Sequence, residues 1–465
     1  MTLLSLSGTT LILLLLGVTL LVGFGADWLA TRFRLPDVLW LIGLGLVAGP
    51  VLGLLTASSL LFIAPVLGTA ALILILFEAG IDLRVSLIRP LAGSALLFAA
   101  ASYAVSTAVL FGVSDLVLFP GHLVLSFLFA ASLGCSSGAV IIPLAGRLGL
   151  VEGLRGMMHL DGAVEDALAI ITVTTLLALV SPASPSLALN LTFSLILPLP
   201  VGVAIGFAGG LVWLLFLYGW QDRAFAALAT LGFLLAVYSV AQALGGSGIL
   251  AAIVFGAVLG NEAVLRRFLR RSRPFRISND LRKVEVEIAF VLRAFFLFLI
   301  GVLAPLSNPG LVPAIAIGGL VLVLLALRRG VFSATTNPRK VPRSWASPVS
   351  ALYGRGLTSA VLLTVALDRI PRVSELFFPG LLVIVGTNIA MTVWLFVQPP
   401  EAGREIPEAS REWAAAATDL LSFAESGAGL FSPPPPLPAG PAHDPRTGGT
   451  SPPPPLPKGR GDRDR

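Results

Sequence analysis

Apolar residues run along this chain in blocks of membrane-spanning length, with charged residues gathered in the gaps between them. A helix needs about twenty consecutive apolar residues to cross hydrocarbon, because each residue advances it only about 1.5 Å. On that measure the sequence predicts thirteen spans, at about 9–30, 36–55, 61–81, 91–112, 121–143, 157–180, 190–217, 225–243, 247–262, 286–306, 310–328, 347–367 and 376–398. The expected fold class is therefore an all-α polytopic membrane protein. The run from Thr9 is preceded by no positive charge and has no convincing small-residue cleavage site, so it is expected to be a first span and not a removable signal peptide.

Composition agrees, since 56% of the 465 residues are hydrophobic and only 12% are charged. The net charge of +6 matters through its placement. Alternate loops carry twenty basic residues on one side, from Arg32 and Arg34 to Arg343, against only Arg369 and Arg372 on the other. The positive-inside rule puts the N-terminus outside and the C-terminus in the cytoplasm of a cell-membrane protein. An even number of spans would break this alternation. The basic loop at 266–283 is explained by topology and membrane-surface contact, so no nucleic-acid partner is expected. A lone cysteine, Cys135, excludes an internal disulfide, and no Cys/His metal spacing is present.

Residues 399–465 are a different material, with PPPPLP twice and few apolar residues. This stretch is expected to be a disordered cytoplasmic tail with polyproline II tendency, following a membrane domain over 1–398.

The sixth span, MMHLDGAVEDALAIITVTTLLALV, holds Asp161, Glu165 and Asp166. Each charge at a helix centre costs roughly 2.5–3.5 kcal/mol, so such residues usually mark a path for protons or cations. Asp161 and Glu165 are one helical turn apart and share a face, whereas Asp166 lies about 100° further round. The trio offers oxygen ligands to a hard cation or a shared proton. The structural alternative is a cap set in wet headgroups at the cytoplasmic helix end.

Two other spans are interrupted. The fifth has Gly134, Ser136, Ser137, Gly138 and Pro143 in mid-membrane, and the twelfth has Gly354, Arg355, Gly356, Thr358 and Ser359. Such residues loosen a helix and are tolerated only where the backbone is buried in protein or wet. Each interrupted span is fifth in a block of six, and the odd spacing inverts one block relative to the other. The expected organisation is two inverted repeats, about 9–180 and 225–398, around a linker span at 190–217. The two broken helices would cross at a midplane ion site, as in secondary transporters.

Four stretches resemble the monovalent cation:proton antiporters, the thirteen-span sodium/proton exchanger-like group. They are LPDVLWLIGLGLVAGPVLGLL at 35–55, ILILFEAGIDL at 73–83, GGSGILAAIVFGAVLGN at 245–261 and YGRGLTSAVLLTVAL at 353–367. The resemblance implies a moving core from the fourth to sixth and eleventh to thirteenth spans. The remaining spans of each repeat would form a scaffold that makes a homodimer. In the electroneutral branch the sixth span has an acid, three residues, then Asn-Asp, which lays Asp161, Glu165 and Asp166 on those positions. The electrogenic branch has Asp-Asp there. Glu165-Asp166 matches neither, which leaves Na⁺ against K⁺ and the stoichiometry open. By the same resemblance Asp161 pairs with an arginine of the eleventh span, Arg328 or its neighbour Arg329. Arg293 is the candidate counter-charge for Glu165, and Arg355 is a further candidate.

The expected function is exchange of Na⁺ or K⁺ for H⁺ by alternating access, with no cofactor. Asp166 and Glu165 would bind the transported cation or proton in competition, helped by Ser136 and Ser137. The alternatives are a cation channel or a non-transporting sensor on the same fold. Enzyme chemistry is not expected, since neither a paired Gly-x-Gly-Asp motif nor HExxH is present, and no ATP-binding motif occurs.

Overall fold

A computed structural model describes residues 17–18, 20–26, 28–29, 32, 36–55, 64–82, 92–138, 140–141, 152–180, 197–220, 225–262, 265, 279–304, 310–336, 346–365 and 374–397. The expected tail at 399–465 lies outside the described residues, as do the start of the first expected span and residues 190–196 of the linker span.

The elements are α1 (Asp37–Leu46), α2 (Ala64–Asp82), α3 (Ala92–Val113), α4 (Leu123–Leu133), α5 (Glu152–Val180), α6 (Pro198–Trp220), α7 (Ala226–Ala243), α8 (Gly248–Gly260), α9 (Asn279–Leu303), α10 (Leu311–Thr335), α11 (Ala346–Ala351), α12 (Leu357–Val365) and α13 (Ser374–Val397). Each falls within or across one of the predicted apolar runs. The differences lie at charged ends. α5 starts at Glu152, α9 starts at Asn279, and α10 continues to Thr335, about two turns beyond the apolar stretches in the last two cases. A hydropathy pattern marks hydrocarbon depth, whereas a helix continues into water wherever its residues permit.

Among the described residues, five helical stretches are long and apolar enough to cross a membrane by length and composition: Gly93–Leu118, Pro198–Tyr218, Ala226–Ala243, Leu311–Thr335 and Glu375–Trp394. The protein is an all-helical membrane protein. Helices satisfy their own backbone groups, so their apolar sides are free to face lipid or one another. Leu215, Phe216, Ile315 and Leu322 are exposed on such outer faces.

Two packing neighbourhoods organise the helices. In the first, α2 lies along α8, α1 lies along α9, and α9 also contacts α2. Glycines make these seams. A Cβ on Gly80 would run into the Ile253 carbonyl, and on Gly256 or Gly260 into the carbonyls of Phe77 or Ile81. Gly45 and Gly301 face each other in the same way across α1 and α9. Small residues let backbones approach closely where water supplies no drive for association. In the second neighbourhood, α3 packs on α4, α5 and α10, and α10 packs on α11 and α13.

Both interrupted spans belong to the second neighbourhood. α4 stops at Leu133 and helical structure resumes after Ser137; α11 stops at Ala351 and α12 starts at Leu357. The two breaks touch directly, the Ser137 amide donating to the Gly354 carbonyl at 2.9 Å. Gly356 fits there only without a side chain, since a Cβ would sit 2.5 Å from Ser137 Oγ.

Candidate functional site

α5 brings its three carboxylates to the crossing of the breaks. Asp161, Glu165 and Asp166 are all buried, and so are Arg328 of α10 and Arg355 between α11 and α12. Helix periodicity divides the acids into two sets. Asp161 and Glu165, on one face of α5, both reach Arg328. The Arg328 guanidinium donates to Asp161 Oδ2 and, at 3.1 Å, to Glu165 Oε1. It also donates to Ser102 Oγ of α3 at 2.9 Å. Its flat faces meet aromatic rings, with Cζ 4.9 Å from the Phe98 centroid and 5.1 Å from that of Tyr353. Planar stacking of this kind suits arginine and gives the charge a partner in a dry site.

Glu165 is held on both oxygens. While Oε1 receives Arg328, Oε2 accepts the backbone N–H and the hydroxyl of Ser136, each at 2.6 Å. The carboxylate thus satisfies the amide of Ser136, which lies in the break beyond the end of α4. Ser136, a sequence candidate for ion contact, donates to Glu165. Ser137 uses its amide on the other break.

Asp166 points elsewhere. Its side-chain hydrogen-bonding neighbours are Thr358, in the first turn of α12, and Cys135 in the α4 break. Among the described residues it has no ion pair, and Oδ1 is buried with no hydrogen-bond partner. The N-terminus of α12 beside it favours negative charge. This is the one carboxylate of the three that no arginine reaches among the described residues.

The other arginines part from their expected places. Arg355 makes no ion pair with the acids among the described residues. Its Nε donates to the carbonyl of Leu133, the last residue of α4, and its Nη2 to the Tyr353 hydroxyl. It therefore covers the negative end of a half-helix. Its Cζ stacks 4.5 Å from the Tyr353 centroid, so this ring lies against both guanidinium groups. Arg329 is exposed, because the next position on α10 turns away from the cluster. Arg293 corrects the expectation that it balances Glu165: it pairs with Asp37 of α1 at 2.7 Å. The α1–α9 packing turns Arg293 towards the start of α1, while Glu165 is already engaged by Arg328.

Sequence reasoning missed several partners: Ser102, Phe98, Tyr353, Cys135 and Asn388. Asn388 donates from Nδ2 to the Arg355 carbonyl at 2.6 Å and so supports the second break from α13. The available signal was polar residues within apolar runs, as in SYAVST at 102–107 and TNIAMT at 387–392.

Buried carboxylates, paired arginine and touching half-helices define an ion-handling membrane protein, not a lipid-facing bundle. Residues 14–397 match the family described as sodium/hydrogen exchanger, transmembrane, and the chain belongs to that family, one of transporters and not of enzymes. The K(+)/H(+) antiporter NhaP2 of Shewanella baltica (strain OS223) is 27% identical over 241 residues, which cover 50% of this chain and 41% of that relative. The Na(+)/H(+) antiporter 1 of Methanocaldococcus jannaschii is 24% identical over 165 residues, covering 35% of this chain and 39% of that protein. The matched stretches thus span under half the length of these relatives. Among solved structures, the sodium proton antiporter MjNhaP1 from Methanocaldococcus jannaschii at pH 8 aligns with a TM-score of 0.68 at 18% identity. That alignment covers 82% of this chain and 98% of the other, a likeness of fold.

Proposed function

We propose that this protein exchanges a monovalent cation, Na⁺ or K⁺, for H⁺ across the cytoplasmic membrane by alternating access. The carrying observation is Asp166: a buried carboxylate with an unpartnered oxygen where two broken spans meet, beside two acids already tied to an arginine. A desolvated carboxylate without a fixed counter-charge takes either a proton or a cation, and the two exclude each other. In this reading Thr358, a neighbour of Asp166, together with Ser137 and backbone carbonyls of the breaks, would complete a cation's oxygen shell. The names of the relatives include both Na(+)/H(+) and K(+)/H(+) antiporters, and either ion fits such a shell.

In this reading the chain has thirteen spans in two inverted repeats, with the linker span at 190–217 between them. The α3–α5 and α10–α13 neighbourhood moves, and the other forms the scaffold and the contact of a homodimer. The N-terminus lies outside and the C-terminus in the cytoplasm.

The test is cation-induced dequenching of a ΔpH dye in everted vesicles, with Na⁺, K⁺ and Li⁺ compared. Exchange should appear in the parent and vanish in Asp166→Asn at every pH, with expression and folding retained. Persistent exchange in that variant would sink the site, and cation flux uncoupled from H⁺ would indicate a channel instead.

A further inference from the structure

We infer that Glu165 is a fixed positioning strut and not an ion carrier, so that the site takes up a single positive charge per half-cycle and exchange is one-for-one. This rests on the reading of Asp166 as the exchanging group. The observation that carries it is the occupancy of Glu165's own oxygens. Oε2 takes two donors from Ser136 and Oε1 takes Arg328, which joins the α4 break to α10 through one carboxylate. A proton or cation on Glu165 would have to displace these donors and leave a buried amide and a buried guanidinium short of partners, a heavy cost in a dry site.

The charge inventory points the same way. Three buried carboxylates, Asp161, Glu165 and Asp166, face two buried guanidinium groups, Arg328 and Arg355. One negative charge is unmatched, and it falls on the acid that no arginine reaches. One H⁺ or one monovalent cation on Asp166 brings the cluster to neutrality, whereas a second would leave it charged and buried. Among the described residues, the other titratable groups facing the cluster include the Tyr103 phenol of α3, the Tyr353 phenol and the Cys135 thiol, all neutral in their ordinary forms. They leave the inventory unchanged.

The consequence for the sequence is that the acidic pair Glu165-Asp166 does not signal two exchanging groups. Glu165 acts on the cation through Ser136, by fixing where the α4 break lies beside Asp166. Loss of an outer partner of this kind weakens ion affinity by about 10–100-fold while sparing the chemistry.

The experiment uses purified full-length protein in proteoliposomes, reading cation-driven ΔpH with and without an inside-negative potential imposed by a thiocyanate gradient. The parent should exchange at a rate unchanged by the potential. Glu165→Gln, which keeps one acceptor for Ser136, should exchange with a cation KM raised about tenfold and a maximal rate within about threefold of the parent, still insensitive to potential. A parent rate driven by the potential, a folded but inactive Glu165→Gln, or a changed cation:proton ratio in that variant would each overturn the inference. If Glu165→Gln does not fold, the parent's response to potential decides alone. Retained exchange in Asp166→Asn is a separate failure, since it removes the reading of Asp166 whatever Glu165 does.

Discussion

The amide of Ser137 donates to the carbonyl of Gly354, so the two interrupted spans are joined backbone to backbone. The contact is close because Gly356 carries no side chain. In Gly356→Ala the new methyl would meet Ser137 Oγ and Cβ, at 2.5 and 2.7 Å. The breaks must then part, at roughly 1–3 kcal/mol. Lower thermal stability in detergent and at least a tenfold loss of exchange are expected. Gly232→Ala is the control: it meets open space on α7 and should gain about 0.5–1 kcal/mol of stability with exchange unchanged. Equal effects of the two variants would remove the steric argument.

The Asp161–Arg328 pair is buried, and removing one partner strands the other at roughly 3–5 kcal/mol. Asp161→Asn and Arg328→Met should each lower the unfolding temperature sharply, with Arg328→Met the worse because it releases Glu165 and Ser102 as well. The double variant should lose less than the summed singles. Additive losses would exclude coupling. Exposed Arg329→Ala should change stability by no more than about 0.5 kcal/mol.

Arg355 covers the end of α4 with a planar fork that lysine does not have. In Arg355→Lys either the Leu133 carbonyl or the Tyr353 hydroxyl loses its donor, at about 1–3 kcal/mol. Thermal unfolding in detergent and the dye assay should both register the loss. Full rescue by lysine would mean that only the charge matters.

Arg293 and Asp37 are partly exposed, at 20% and 17% of their side chains. Pairs of that kind are worth about 1 kcal/mol or less. Arg293→Leu should therefore keep both the coupling ratio and the pH profile of exchange. A shifted pH profile in this variant would return Arg293 to the ion path.

Orientation is open to protease. Protease added to everted vesicles should remove the proline-rich segment after Gln398, and protease added to intact cells should not. A chain ended after Ser410 should exchange at near-parental rates. Cleavage from outside would reverse the proposed orientation.

Much of this architecture is legible in the linear pattern because lipid imposes a simple rule: apolar runs of spanning length become helices. The breaks are legible for the same reason, since Gly134 to Gly138 and Gly354 to Gly356 interrupt runs that would otherwise continue. The division of labour on α5 is legible only in part. Its periodicity separates Asp166 from Asp161 and Glu165, but nothing in the spacing says that Ser136 and Arg328 would fill both oxygens of Glu165. Those contacts join residues 29 and 163 positions apart. Arg293 was misread for a related reason. Its partner depends on α1 lying against α9, and that seam is made by Gly45 and Gly301, whose message is close approach without a stated neighbour.

Those glycine seams also limit how the protein can move. If α1 slid along α9 by one residue, about 1.5 Å, a side chain would be driven into a backbone carbonyl; the same holds for α2 against α8. In the proposed exchange cycle such interlocked rails would act as a stator, with no intermediate register in which to rest. Displacement would then be left to the helices that carry the charges, making the rotor of this machine and its cargo bay one piece.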